Sequence, residues 1–185
     1  MPAALSEHPE ILEFAVPISL DAYHTLCELY PKLEKTELIQ GVIVEKMTKS
    51  PEHNFFSNLL IQELQKLKPN ASILLVEKPL SLAGSEPEPD LAVVEGTIYD
   101  YKFKNPNTAI LVVEIAKTSL ILDRIKKEIY ASADIPNYWI VNLNQKEIEV
   151  YSDPVLGNYR TVKNYTSGEK ISIFGSELDV SVLFE

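Results

Sequence analysis

The sequence is short of the residues from which covalent and cofactor frameworks are built. One cysteine, Cys27, among 185 residues excludes an intrachain disulfide and a cysteine-based zinc cluster. The glycines number only six, and none belongs to a phosphate-cradling loop. Nucleophile-elbow and His-Glu-x-x-His patterns are also lacking. No apolar run approaches the ~18–20 residues that a membrane-spanning helix needs. The N-terminal stretch MPAALSEHPEILEF has no positive segment followed by an apolar one, so it does not read as a signal peptide. Repeats and low-complexity segments are missing too. The expectation is a soluble, cytoplasmic protein with no membrane partner.

What is present fits a globular chain. With 45% apolar and 24% charged residues, 185 residues suffice for one domain with a sizeable core. Seventeen basic side chains face 27 acidic ones, for a net charge of −10 and a pI near 4.8. That balance argues against a phosphate-binding surface, which depends on Lys and Arg. The distribution is uneven, however. Residues 1–96 hold 7 basic and 15 acidic side chains, whereas residues 97–129 hold 6 and 4. Prolines at 2, 9 and 17 suggest a loose N-terminal arm over residues 1–18, followed by a single domain over 19–185.

Ser19 can cap a helix from Leu20 to about Tyr30, stopped by Pro31. The alternation in ELIQGVIVEKM around Gln40-Gly41 predicts a hairpin from about Lys35 to Met47. Ser50, Pro51 and Glu52 announce a second helix that ends at Pro69-Asn70. Strands are expected at Ile73–Glu77, at LAVVE and across the apolar run Ala109–Ala116. A third helix is predicted over about Leu120–Ala133, with Leu122, Ile125 and Ile129 facing inward. YWIVNL and KEIEVYSD form a further hairpin, and the tail, 158–184, adds two or three short strands. The fold class is α/β (α+β): a central mixed sheet flanked by helices, with extra C-terminal strands.

Three acids stand out. Asp90 opens an apolar strand directly after Pro89, and Glu37 starts the first hairpin. Glu114 interrupts ILVVEIA, where an unpaired carboxylate costs several kcal/mol of desolvation. Converging carboxylates suit a hard divalent cation, which prefers oxygen ligands and keeps several waters. On the third helix Asp123, Lys126, Lys127 and Tyr130 share one face by their spacing. A lysine there can orient or activate an attacking water, or offset developing charge. Each residue also has a plain structural use: Asp90 as a turn residue, Glu114 in an ion pair, Glu37 and the lysines as solvated charges.

The stretches TELIQGVIVEKM, SPEH, EPEPDLAVVEG, ILVVEIAKTSLILDRIKKEIYASADIPNYWIVN and KEIEVYSDP, in this order, resemble the Uma-two family of endonucleases. That family is similar in fold to the restriction-endonuclease-like PD-(D/E)XK nucleases. The resemblance implies Mg²⁺- or Mn²⁺-dependent hydrolysis of nucleic acid, most readily DNA. It makes Asp90 and Glu114 the metal-holding pair, with the Ile115 carbonyl beside them and Glu37 assisting directly or through water. The chain departs from the D/E-x-K pattern by having Ala116 where a lysine is expected. Lys117 falls on the opposite side of the strand. The family's migrated helix lysine then corresponds to Lys126, with Lys127 one residue out of register as the alternative. His53, in SPEH, is a second-rank candidate for lining the site.

Two other classes stay open. One is a catalytically silent nuclease fold serving as a binding or interaction module, favoured by Ala116 and the acidic balance. The other is a metal-dependent hydrolase of a small substrate. Oligomeric state stays open as well; analogy with endonucleases that cut both strands makes a two-fold homodimer one candidate assembly.

Overall fold

The computed structural model describes residues 14–184, so most of the expected N-terminal arm, residues 1–13, lies outside it. Helix α1 spans Leu20–Leu29, with Ser19 Oγ accepting from the Ala22 N–H at 3.2 Å. A short 3₁₀ turn, Pro31–Lys35, leads into β1 (Thr36–Ile39) and β2 (Val42–Glu45), which pair antiparallel. The turn residues Gln40 and Gly41 both have positive φ, as a two-residue hairpin turn requires. Gly41 is also a point of close approach: a Cβ there would lie 2.3 Å from Pro17 Cβ.

Helix α2 (Pro51–Leu67) begins as its sequence predicts, Ser50 Oγ accepting from the His53 N–H at 3.1 Å. The remaining elements are β3 (Ser72–Val76), β4 (Leu91–Glu95), β5 (Leu111–Ala116), α3 (Leu120–Ser132), β6 (Asn137–Asn142), β7 (Glu147–Val155), β8 (Asn158–Thr166), β9 (Lys170–Ile173) and β10 (Ser176–Asp179). Strands β3 to β8 form one six-stranded sheet in sequence order. All its pairings are antiparallel except β5–β6, which is parallel and is bridged by α3. β1–β2 and β9–β10 are separate two-stranded sheets. The tail departs from expectation in one respect, since β8 is a nine-residue partner of β7.

Each face of the main sheet carries its own core. Leu60, Leu64, Val113, Trp139, Leu178 and Phe184 pack on the face covered by α2 and the C-terminal strands. Ile39, Leu80, Val112, Ala116, Ile129 and Tyr138 pack on the face covered by α3. Alternation along β5 sends Glu114 and Ala116 to the α3 face, between residues of the opposite core.

Helix α3 turns only part of the expected stripe inward: Ile129 is buried and Leu122 half-buried, but Ile125 faces out. Asp123, Lys126, Ile129 and Tyr130 are buried, whereas Ile121 is 79% and Ile125 51% exposed. The energies explain this. Burying one isoleucine stabilises by about 1.5–3 kcal/mol. Leaving Glu114 in the sheet without a partner costs more, about 3–5 kcal/mol for a broken buried pair. The helix therefore presents the side chains that satisfy Glu114. Among the described residues no helix is long and apolar enough to cross a membrane.

Candidate active site

Asp90 sits at the head of β4, where the chain leaves Pro89 and enters the sheet. β4 and β5 run antiparallel, with Leu91 opposite Val113, so the start of β4 lies beside the end of β5. Ile115 has no β4 residue opposite it. Its N–H donates instead to Asp90 Oδ2 at 2.8 Å. A strand residue's N–H and C=O leave the backbone on the same side, so the Ile115 carbonyl faces the same gap.

Glu114 and Lys126 form the centre of the cluster. Lys126 Nζ donates to Glu114 Oε1 at 3.0 Å and lies 2.9 Å from Glu37 Oε2. The second contact is an ion pair without hydrogen-bond alignment, leaving that Glu37 oxygen without an aligned donor. The Tyr130 hydroxyl donates to Glu114 Oε1 at 3.0 Å. Glu37, Glu114 and Lys126 are all buried. Ala116, at the place of the expected strand lysine, is also buried on this face, and the ammonium of Lys126 arrives from α3.

A cavity of about 250 Å³ opens between these groups, lined among others by Glu37, Asp90, Glu114, Ile115, Asp123 and Lys126. The structure thus brings together Asp90, Glu114, Glu37, Lys126 and the Ile115 backbone. His53, at the start of α2, joins them, its Nε2 lying 3.0 Å from Asp90 Oδ2. Lys117 reaches the cavity wall, but its amine pairs with Glu52 of α2, on the side that strand alternation assigns it. Lys127 is half-buried and outside the cavity lining.

Sequence reasoning missed two members. Asp123 is 3% exposed, lines the cavity and accepts from the Ser119 hydroxyl at 2.6 Å. Its i, i+3 relation to Lys126 was the available signal. Lys49, in the β2–α2 connection, places Nζ 2.9 Å from Asp90 Oδ1 and 3.0 Å from Glu77 Oε1. A loop lysine in that position carries no periodic signal.

Five carboxylates and four lysines line the cavity; Lys46 pairs with Glu88 and Lys117 with Glu52, which leaves Glu37, Asp90, Glu114 and Asp123 to Lys126 and Lys49. Burial raises the Glu114 carboxyl well above the usual range; Lys126 opposes the rise, and Asp123, Asp90 and Glu37 add to it. Asp123 is pushed up to about 6, again chiefly by burial. Burial also acts to raise Asp90, but His53 and Lys49 outweigh it and hold that carboxyl below its ordinary value. Lys126 stays charged: its burial would lower its pKa, yet Glu114, Glu37 and Asp123 raise it.

The buried cluster, with more carboxylates than ammonium groups, has the donor chemistry for a hard divalent cation. Among the described residues no three His, Cys, Asp or Glu side chains converge into a closed cage. Mg²⁺ needs none, since it binds through one or two carboxylates and retains water. Asp90, Glu114 and the Ile115 carbonyl fit it on those terms.

A six-stranded mixed sheet with a β5–α3–β6 crossover and helices on both faces is the architecture of the restriction-endonuclease-like class. The chain belongs to the Uma2 family, described as "Putative restriction endonuclease", whose model matches residues 20–181. Among solved structures it is similar to a crystal structure of a protein from Anabaena variabilis, described as a "putative nuclease belonging to DUF820". The TM-score is 0.74, with 91% of this chain and 98% of that one covered. Identity is 16%, so this likeness speaks for the fold. No curated protein matches the chain.

Proposed function

We propose that the protein is a divalent-metal-dependent endonuclease that hydrolyses phosphodiester bonds in nucleic acid, with DNA the favoured substrate. The observation that carries this reading is the pairing of two strand ends. Asp90 and the Glu114–Ile115 backbone meet across β4 and β5, beside a buried lysine that bridges Glu114 and Glu37. Asp90, Glu114 and the Ile115 carbonyl would hold Mg²⁺ or Mn²⁺, with Glu37 assisting directly or through water. When bound, such an ion polarises the phosphoryl group and lowers the pKa of a bound water.

The side chains divide the remaining tasks. The Lys126 ammonium, held charged by its carboxylate neighbours, orients the attacking water by donation and offsets charge on the phosphate. Its raised pKa makes it a poor proton acceptor, which distinguishes orientation from general-base action. Tyr130 fixes the Glu114 carboxylate by its 3.0 Å donation, and the Ile115 N–H does the same for Asp90. Lys117, which lines the cavity and pairs with Glu52, would meet a phosphate.

The test is nicking of supercoiled, linear and single-stranded DNA at low salt with Mg²⁺ or Mn²⁺. Asp90→Ala and Glu114→Ala are each expected to lower cleavage at least ~100-fold, with circular dichroism unchanged. Full activity in both variants would overturn the assignment. A second reading, a silent nuclease-fold module, is supported by the internal pairing of the site, in which Asp90, Glu114 and Glu37 each already face a cation. Salt-sensitive DNA binding without turnover would favour it.

A further inference from the structure

We propose that Lys49 is a resident counter-cation of Asp90 that a divalent metal ion displaces, and that Glu77 is the seat the lysine keeps when it leaves. The inference rests on the metal-dependent reading given above.

The two oxygens of Asp90 are held in different ways. Oδ2 accepts from the Ile115 N–H at 2.8 Å and meets His53 Nε2 at 3.0 Å. Both donors are buried, one on β5 and one on the first turn of α2. Oδ1 is met by Lys49 Nζ, at 2.9 Å. That lysine comes from the connection between β2 and α2, and its side chain is 31% exposed against 8% for Asp90. Fixed donors therefore orient the carboxylate, and its other oxygen is left to a flexible partner that water can reach. An ammonium and a divalent ion repel each other too strongly to share that oxygen.

Glu77 gives the displaced lysine somewhere to stay. Its Oε1 lies 3.0 Å from the same Nζ, and its side chain is 46% exposed. The residue follows β3 with φ +51°, a left-handed conformation that disfavours any residue with a side chain. Its N–H donates to the Asp90 carbonyl oxygen at 3.1 Å, so the strained turn is tied to the same residue that Lys49 neutralises. Lys49 can thus release Oδ1 without entering solvent unpaired. In the metal-free chain the acid is neutralised internally, and metal occupancy is set by competition with the lysine.

The experiment titrates Mg²⁺ or Mn²⁺ alone into the full chain by calorimetry, with no nucleic acid. It compares the natural protein with K49M, E77Q and the double variant, and uses D90N as the control for the site. K49M is expected to tighten metal binding roughly three- to tenfold, the scale of a partly exposed ion pair. E77Q alone is expected to weaken it. In the K49M background E77Q should change nothing, because the seat has no occupant.

A field effect alone gives a different pattern: E77Q weakens binding equally in both backgrounds, which overturns the proposal. Unchanged or weaker binding in K49M overturns it too, and leaves the metal reading intact provided that D90N fails to bind. Binding in K49M but not in the natural protein supports it. Binding in neither, with both chains folded, overturns the metal reading and the inference together.

Discussion

At the scale of single residues, removing the Lys126 ammonium would leave Glu37 and Glu114 facing each other in a buried space. Breaking such a pair from one side costs about 3–5 kcal/mol, so Lys126→Met is expected to lose that much stability. Urea unfolding followed by the emission of Trp139, the chain's one tryptophan and fully buried, measures it. A loss below ~1 kcal/mol would show that the carboxylates had protonated to compensate.

Asp123 gives the opposite kind of effect. Its folded carboxyl titrates near 6, against roughly 4 in the unfolded chain. Between those values the folded state binds more protons than the unfolded one, so stability falls as pH rises through that window. Asp123→Asn keeps an acceptor for Ser119 and carries no charge. It is expected to be about 2–3 kcal/mol more stable than the natural chain at pH 7 and to lose the slope between ~4 and 6. Asp90 has the reverse sign. Its depressed carboxyl contributes stability above the unfolded value, and that stability is lost as pH falls through the folded one. Unfolding midpoints from about pH 2 to 8 for natural, Asp123→Asn and Asp90→Asn chains separate the two contributions, Asp123 between ~4 and 6 and Asp90 below ~4.

At the scale of elements, α3 marks where sequence reasoning succeeded and where it stopped. The helix boundaries, the caps of α1 and α2, the Gln40-Gly41 turn and the order of the strands were legible, because local chemistry decides them. The buried face of α3 was legible only in part, at Ile129 and in the shared face of Asp123, Lys126 and Tyr130. Hydrophobic periodicity assigns burial to Ile125, and the demand of a single carboxylate on β5 overrides it. Asp123 was left out of the site although its spacing gives it the face of Lys126, and Lys49 was missed because its position depends on a loop. Asp90 and Glu114 were legible as charges at the head of and inside apolar strands, and Lys126 through the family resemblance, which supplies a helix lysine where Ala116 stands. The observed orientation makes a simple prediction. Ile125→Gln should change stability by less than about 0.5 kcal/mol, as for an ordinary surface position. Ile129→Ala, on the buried face, should cost roughly 2–5 kcal/mol. Equal losses by urea titration would mean that the helix is rotated.

At the scale of the molecule, the site is assembled from parts that depend on the main sheet to different degrees. Asp90, Glu114 and Ile115 belong to it or adjoin it, and Lys126 comes from the crossover helix. Glu37 comes from a two-stranded sheet of its own. That hairpin is fastened at its tip, where Gly41 accepts from the Ile18 N–H at 3.1 Å and donates to the Gly84 carbonyl at 2.9 Å. The single bridge from Leu38 to Glu86 adds a further tie. Gly41→Ala strikes this fastening directly, since its methyl group would overlap Pro17 and its φ is +77°. A unit attached this way can open as a separate step, at a free energy below that of global unfolding. Opening would carry Glu37 away from Lys126 while Trp139, deep in the opposite core, registers nothing. On the proposed nuclease reading, catalysis would then be the first property to fail under mild denaturant. In a urea series DNA nicking should vanish while tryptophan emission is still native, and Gly41→Ala should widen the interval between the two.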